Sequence, residues 1–332
     1  MTTKILFQIA FLATILAFFS GCDQYEGSIA EAKHTAVGTL DAVISRDASH
    51  AIVSSVNHGT GYWDLQSNEL LYNWTHGDDP TREIIATNLS PDGSRAITAD
   101  NRNFSIWNTN SGKSYGFWKA PAKIRAVALS NKGRYVLLGL EDGRAIHIDM
   151  NTGRRLEFTG HREEAVADVD LSANGLWALT GGADYRAILW NTKTGKPKRL
   201  FEHQTRVTLL RLSNSGERAF TAGTKGNAFV WDLSTGQQIS RLDLAKREYV
   251  ITAARFSNDE TRLVTGAPAR DISLWDSNTG KRIKQWQART REQWKPSGAI
   301  IYSVAFSDND QYVYSESSAG FGEKWSVRPN QK

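Results

Sequence analysis

The side chains best suited to chemistry in this chain are seven histidines, two acidic pairs and a single cysteine. Histidine offers metal ligands or a base near neutral pH, and paired carboxylates offer acid–base work. A cysteine offers a nucleophile or a point of attachment. No pair of histidines stands at a metal-ligand spacing such as His-x-x-x-His. His34, His76, His161 and His203 instead fall 10 to 14 residues before a serine that recurs along the chain, which makes them structural candidates. His50, His58 and His147 are scattered over turns and strands. Glu163-Glu164 and Asp168-Asp170 read as solvated groups of a loop and a strand. A Walker loop and a dinucleotide fingerprint are both missing from the sequence. The expectation is a non-enzyme with no catalytic residue, no cofactor and no metal. A cofactor- or metal-dependent enzyme, or a ligand sensor, is the alternative.

The elements that must position these residues follow from repetition. Taking Trp190 as a marker, a step of 18 residues back reaches Ser172. The same step links Ser45 to Trp63, Ser130 to Ile148, Ser213 to Trp231, Ser257 to Trp275 and Ser307 to Trp325, while Ser90 to Trp107 is 17. The markers at 63, 107, 148, 190, 231, 275 and 325 are spaced by 44, 41, 42, 41, 44 and 50 residues. Within each copy, alternating apolar residues lead into the serine, the pattern of a half-buried strand. A turn of Asn, Asp, Pro or Gly follows, as in Pro91-Asp92-Gly93 and Asn131-Lys132-Gly133. A second strand tends to end in Thr or Ser (Thr98, Thr180, Thr221, Thr265, Ser315), and a third carries the marker. Asp or Asn after the marker, with Gly four residues on, closes a hairpin into a fourth strand. In the clearest copy, 160–195, the strands are placed at Ala165–Leu171, Leu176–Gly181 and Arg186–Asn191.

Four strands at a period of about 42 with Trp-Asp and Gly-His dipeptides resembles the WD40 repeat over residues 28–327. Trp63-Asp64, Trp231-Asp232 and Trp275-Asp276 carry the dipeptide itself. The resemblance implies an all-β, seven-bladed propeller (28–328), a monomeric disc in which each blade needs its neighbours. It also implies a buried network of His161, Thr180, Asp184 and Trp190. Asn101, Asp142, Lys225, Ala269 and Ala319 stand near the place of the turn aspartate elsewhere, so most blades are expected to lack the full set. Little chain follows Trp325, whereas 28–34 sits where a fourth strand would precede the first copy. That strand is expected to pair with the Trp325 strand and close the ring.

Ahead of the repeats, Lys4 precedes an apolar stretch from Ile5 to Phe19, then Ser20-Gly21-Cys22. A basic start, a short apolar core and small residues form a secretory signal too short for an ordinary span. Phe19-Ser20-Gly21-Cys22 resembles a bacterial lipobox, with Phe19 where Leu is usual. This implies cleavage after Gly21 (signal 1–21), acylation of Cys22, and a tether of residues 22–27. Two or three acyl chains anchor stably in a lipid bilayer. Asp23 resembles the signal that retains such lipoproteins in the inner membrane, facing the periplasm. With an outer-membrane address as the alternative, Asp23 decides only between membranes.

One connection breaks the pattern. The excess length before the last copy lies in 286–300, WQARTREQWKPSGAI. It holds Arg289, Arg291, Trp294 and Lys295 on what the resemblance implies is the partner-docking face, and Arg and Trp are the side chains of interface hot spots. A formal charge of +5 spread over 332 residues is too dilute for a nucleic-acid footprint. The expected role is a scaffold that binds protein partners of the cell envelope.

Overall fold

The computed structural model describes residues 26–56, 58–77, 82–244, 250–291 and 298–328. Twenty-eight strands form seven four-stranded antiparallel sheets. Six are consecutive meanders, blades one to six, over residues 39–74, 86–119, 124–158, 166–202, 207–241 and 253–287. Blade seven takes its three inner strands from Ile301–Phe306, Tyr312–Ser317 and Phe321–Ser326. Its outer strand is Ala30–Lys33, which pairs antiparallel with Phe321–Ser326 in the register Ala30 to Lys324 and Lys33 to Phe321. The ring is a seven-bladed β-propeller closed by an N-terminal outer strand, as the repeat count predicts. In blade four the strands run Val166–Leu171, Trp177–Gly182 and Arg186–Asn191, within a residue of the sequence placement.

The serine common to all seven copies has one physical job. Its Oγ accepts the backbone N–H five residues on, closing the turn between first and second strands. The distances are 3.0 Å for His50 to Ser45, 2.9 Å for Tyr135 to Ser130 and 3.1 Å for Arg218 to Ser213. The other four lie at 3.0 Å. The same hydroxyl donates to Asp or Asn two residues on in five blades, for example Asp47 at 2.6 Å and Asn174 at 2.8 Å. A short polar side chain thereby fixes a hairpin that the backbone alone would leave loose. After the marker, the Asp or Asn carboxyl or amide oxygen caps the next turn, and Gly at positive φ ends it, as at Gly280 (φ 72°). A Cβ at Gly280 would collide with the Arg241 carbonyl. Blade one uses Asn68 (φ 58°) at that place, and Asn tolerates this region best among residues with a side chain.

The blades bury little by themselves, so the core lies between them. The fourth-strand aromatic of one blade packs on the marker Trp of the next. Trp74 stacks on Trp107 (5.2 Å between centroids), Phe158 on Trp190 (4.8 Å), and Trp286 tilts onto Trp325 (6.2 Å). Such pairs add roughly 0.5–1.5 kcal/mol beyond their buried area. Every blade is therefore stabilised by its neighbours, and a break in the ring exposes two such faces.

Candidate functional site

Three polar constellations are candidates for function: the histidine networks, the ring-closing seam and the central channel. In blade four, His161 Nε2 lies 2.7 Å from Thr180 Oγ1 and Nδ1 lies 2.9 Å from Asp184 Oδ1. Trp190 Nε1 donates to the same threonine at 2.9 Å. His161 and Thr180 are fully buried. Blade two holds a second complete set of His76, Thr98, Asp100 and Trp107, with His76 2.8 Å from Thr98 and Trp107 donating to it at 2.8 Å. His76 Nδ1 is 3.4 Å from Asp100. The expectation that Asn101 occupies this place is corrected: the blade is one residue shorter between serine and Trp, which brings Asp100 into the turn. In blade five Lys225 replaces the aspartate, and His203 bonds Thr221 at 3.0 Å but leaves Nδ1 buried without a partner. Burial alone drives His203 down to about 4. Burial, with Arg154 adding to it, does the same for His147. His147 and His203 are therefore neutral at pH 7, and both are buried.

The seam where the ring closes collects the residues of the long connection. The Arg289 N–H is 3.1 Å from both carboxylate oxygens of Glu323, its guanidinium pairs with Glu31, and it lies 5.2 Å over the Phe321 ring. Arg291 clamps four carbonyls: Ala319 (2.7 Å), Ala36 (2.7 Å), Thr35 (3.1 Å) and Val37 (2.6 Å). Arg289 thus holds the closing strand itself, and Arg291 fastens the chain that follows it. Trp294 and Lys295 lie outside the described residues, as do Cys22 and Asp23. Beside Arg289, Glu323 is pushed up to about 7, chiefly by burial and further by Glu31 and Glu316. His34 Nδ1 meets Glu316 Oε1 at 2.8 Å with both side chains 1% exposed. Burial opposes the charge on His34, but Glu316 outweighs it and raises the imidazole above its ordinary value.

The seam also orients the chain. Glu26 bridges Trp286, and Lys284 reaches Glu26 (2.5 Å) and the Ser326 carbonyl (3.0 Å). From there the chain runs alongside 286–291, so Glu31 meets Arg289 and Thr35 meets Arg291. Glu26 therefore lies at the end of blade seven near Ser326, the side of the turns between first and second strands. Arg291 lies on the opposite face, with the Ala319 turn.

The central channel is walled by the first strand of each blade. Asp41 Oδ2 accepts the N–H (2.7 Å) and hydroxyl (2.8 Å) of Thr87 on the next blade. Asp168 takes the Leu210 N–H (2.9 Å) and Arg211 (2.6 Å), and Asp170 takes the Leu212 N–H (2.7 Å). The reading of Asp168-Asp170 as a solvated pair is corrected: both face the channel and tie blade four to blade five. Asp41 is raised to about 6 by burial, against the pull of its Thr87 bonds. Burial likewise raises Asp168, opposed by Arg211. The channel encloses a cavity of about 230 Å³, lined also by Arg46, Arg255 and Tyr302. Among the described residues, no group of three or more His, Cys, Asp or Glu could hold a metal ion, and no helix is long and apolar enough to cross a membrane.

Comparison with known proteins agrees with this architecture. Residues 154–191, the outer strand of blade three and the first three strands of blade four, match the WD domain, G-beta repeat. Autophagy-related protein 16 of Arabidopsis thaliana is 25% identical over 231 residues, covering 66% of this chain and 44% of that protein. Transcription initiation factor TFIID subunit 5 of Caenorhabditis elegans is 22% identical over 175 residues, 52% of this chain and 26% of that one. WD repeat-containing protein 1 of Rattus norvegicus is 26% identical over 174 residues, 49% of this chain and 28% of that one. The matched stretch spans less than half of each relative's length.

Proposed function

We propose that this chain is a membrane-anchored periplasmic propeller that serves as a protein-binding scaffold. The observation that carries this reading is the commitment of its polar clusters to architecture. His76, His161 and His203 bond threonines, the channel carboxylates bond the next blade, and Arg289 and Arg291 fasten the seam. What such a disc offers a partner is a rigid surface with variable connections. One relative is by name a subunit of a larger factor, which suits the same use.

In this reading Cys22 is acylated after removal of 1–21, and Asp23 keeps the protein in the inner membrane. Residues 22–27 then span at most roughly 20 Å, so the disc lies close to the bilayer. Because Glu26 lies on one face and Arg291 on the other, the tether turns the Arg291 face away from the membrane. Docking in this reading falls on the connection whose sequence carries Trp294 and Lys295, with Arg289 and Arg291 fixed at its start. The anchor is tested by fractionation: wild-type protein should sediment with membranes and Cys22→Ser should be released. Sedimentation of the variant at wild-type levels would reject the anchor.

A further inference from the structure

The channel mouth on the Glu26 face holds two cations, Arg46 and Arg255, that form no ion pair among the described residues. Arg46, next to the turn serine of blade one, makes no hydrogen bond or ion pair among the described residues, and its Nε is buried. Arg255 of blade six spends one terminal nitrogen on the Ile44 carbonyl at 3.1 Å, and its Nε is also buried without a partner. The contact at Ile44 brings Arg255 within two residues of Arg46. Burial is the main force holding Arg255 down to about 10, and the charges of Arg46 and Arg211 come next.

Among the described residues no neighbouring carboxylate pairs with either arginine, and Glu260, which attracts Arg46, is bonded to Ser215. Asp168 holds Arg211, and Asp170 gives its oxygens to the N–H groups of Leu171 (2.8 Å) and Leu212 (2.7 Å). Asp170 attracts both Arg46 and Arg255 through space without pairing with either. Two guanidinium groups in a partly desolvated channel, each with unused donors, leave a charge that an anion would offset. Planar forks of this kind match the oxygens of phosphate in pairs. The cavity of about 230 Å³ has room for a phosphate and several waters, each water taking about 30 Å³.

We propose that Arg46 and Arg255 form a binding site for a phosphate-class oxyanion at this mouth of the channel. Its phosphate comes either from solution or from a lipid headgroup presented at that face. The site stands independently of how the chain is anchored.

The test uses the purified full-length chain. Its melting temperature is followed against inorganic phosphate, with sodium chloride matched for ionic strength, and against vesicles with and without phosphatidylglycerol. Wild type should gain several degrees at phosphate about a hundredfold above its Kd. Arg46→Gln and Arg255→Gln should each raise that Kd by about tenfold or more. Arg125→Gln serves as the control, because Arg125 lines the other end of the channel and pairs with Glu141 at 3.3 Å; its response should match wild type. A response to free phosphate assigns the solution source, and one confined to phosphatidylglycerol vesicles but still dependent on both arginines assigns the headgroup. The proposal is overturned if neither probe acts beyond the salt control, or if the response survives in Arg46→Gln/Arg255→Gln.

Discussion

Thr180 shows how much one hydroxyl carries. It receives the Trp190 N–H and bonds His161, and all three groups are buried. Thr180→Val keeps the shape and orphans two partners, each costing about 1–3 kcal/mol. Among the described residues Thr265 serves only Trp275, at 2.8 Å. In urea unfolding, Thr180→Val should therefore lose roughly twice the stability that Thr265→Val loses; equal losses would contradict the shared-hydroxyl account. Glu323 makes a prediction of opposite sign. Its folded pKa of about 7 lies above the ordinary 4.5, so the stability it lends is full below pH 4.5 and lost as pH rises to 7. Glu323→Gln should be more stable than wild type at pH 8 by roughly 1–3 kcal/mol. The difference should vanish near pH 4.5. A constant difference across that range would show that burial does not set this group's titration.

The closing strand is the element on which the ring depends. Ala30–Lys33 completes blade seven, and the chain after it is clamped by Arg291. Deleting residues 24–35 should remove the native transition cooperatively, read by circular dichroism on heating; unchanged melting would mean that the ring closes without it. Elements of this kind were legible in the sequence because strand period, turn residues and the serine-to-marker step repeat along the chain, with Trp as the marker in six of seven copies. The role of the serine was not legible, since spacing marks a position without saying which N–H it receives. Asp100 escaped because its turn is one residue shorter than the others. Asp168 and Asp170 escaped because inward and outward positions of a first strand look alike until the next blade is in place. Arg289 and Arg291 had the composition of a docking surface, and only the three-dimensional seam shows that their side chains are engaged within the chain.

At the scale of the whole molecule, the disc has two unlike faces. One carries Glu26 and the channel mouth with Arg46 and Arg255, and the other carries Arg291 and the Ala319 turn. The scaffold account assigns the first face to the membrane and the second to a partner. Site-specific photo-crosslinking in intact membranes tests that assignment most directly, with the reactive residue at position 294, three residues past Arg291 in the sequence, or at exposed Lys132 on the Glu26 face. The account predicts a discrete protein adduct from position 294, none from position 132, and loss of the adduct in the Cys22→Ser background. Adducts of equal yield from both positions, or none from position 294, would contradict it.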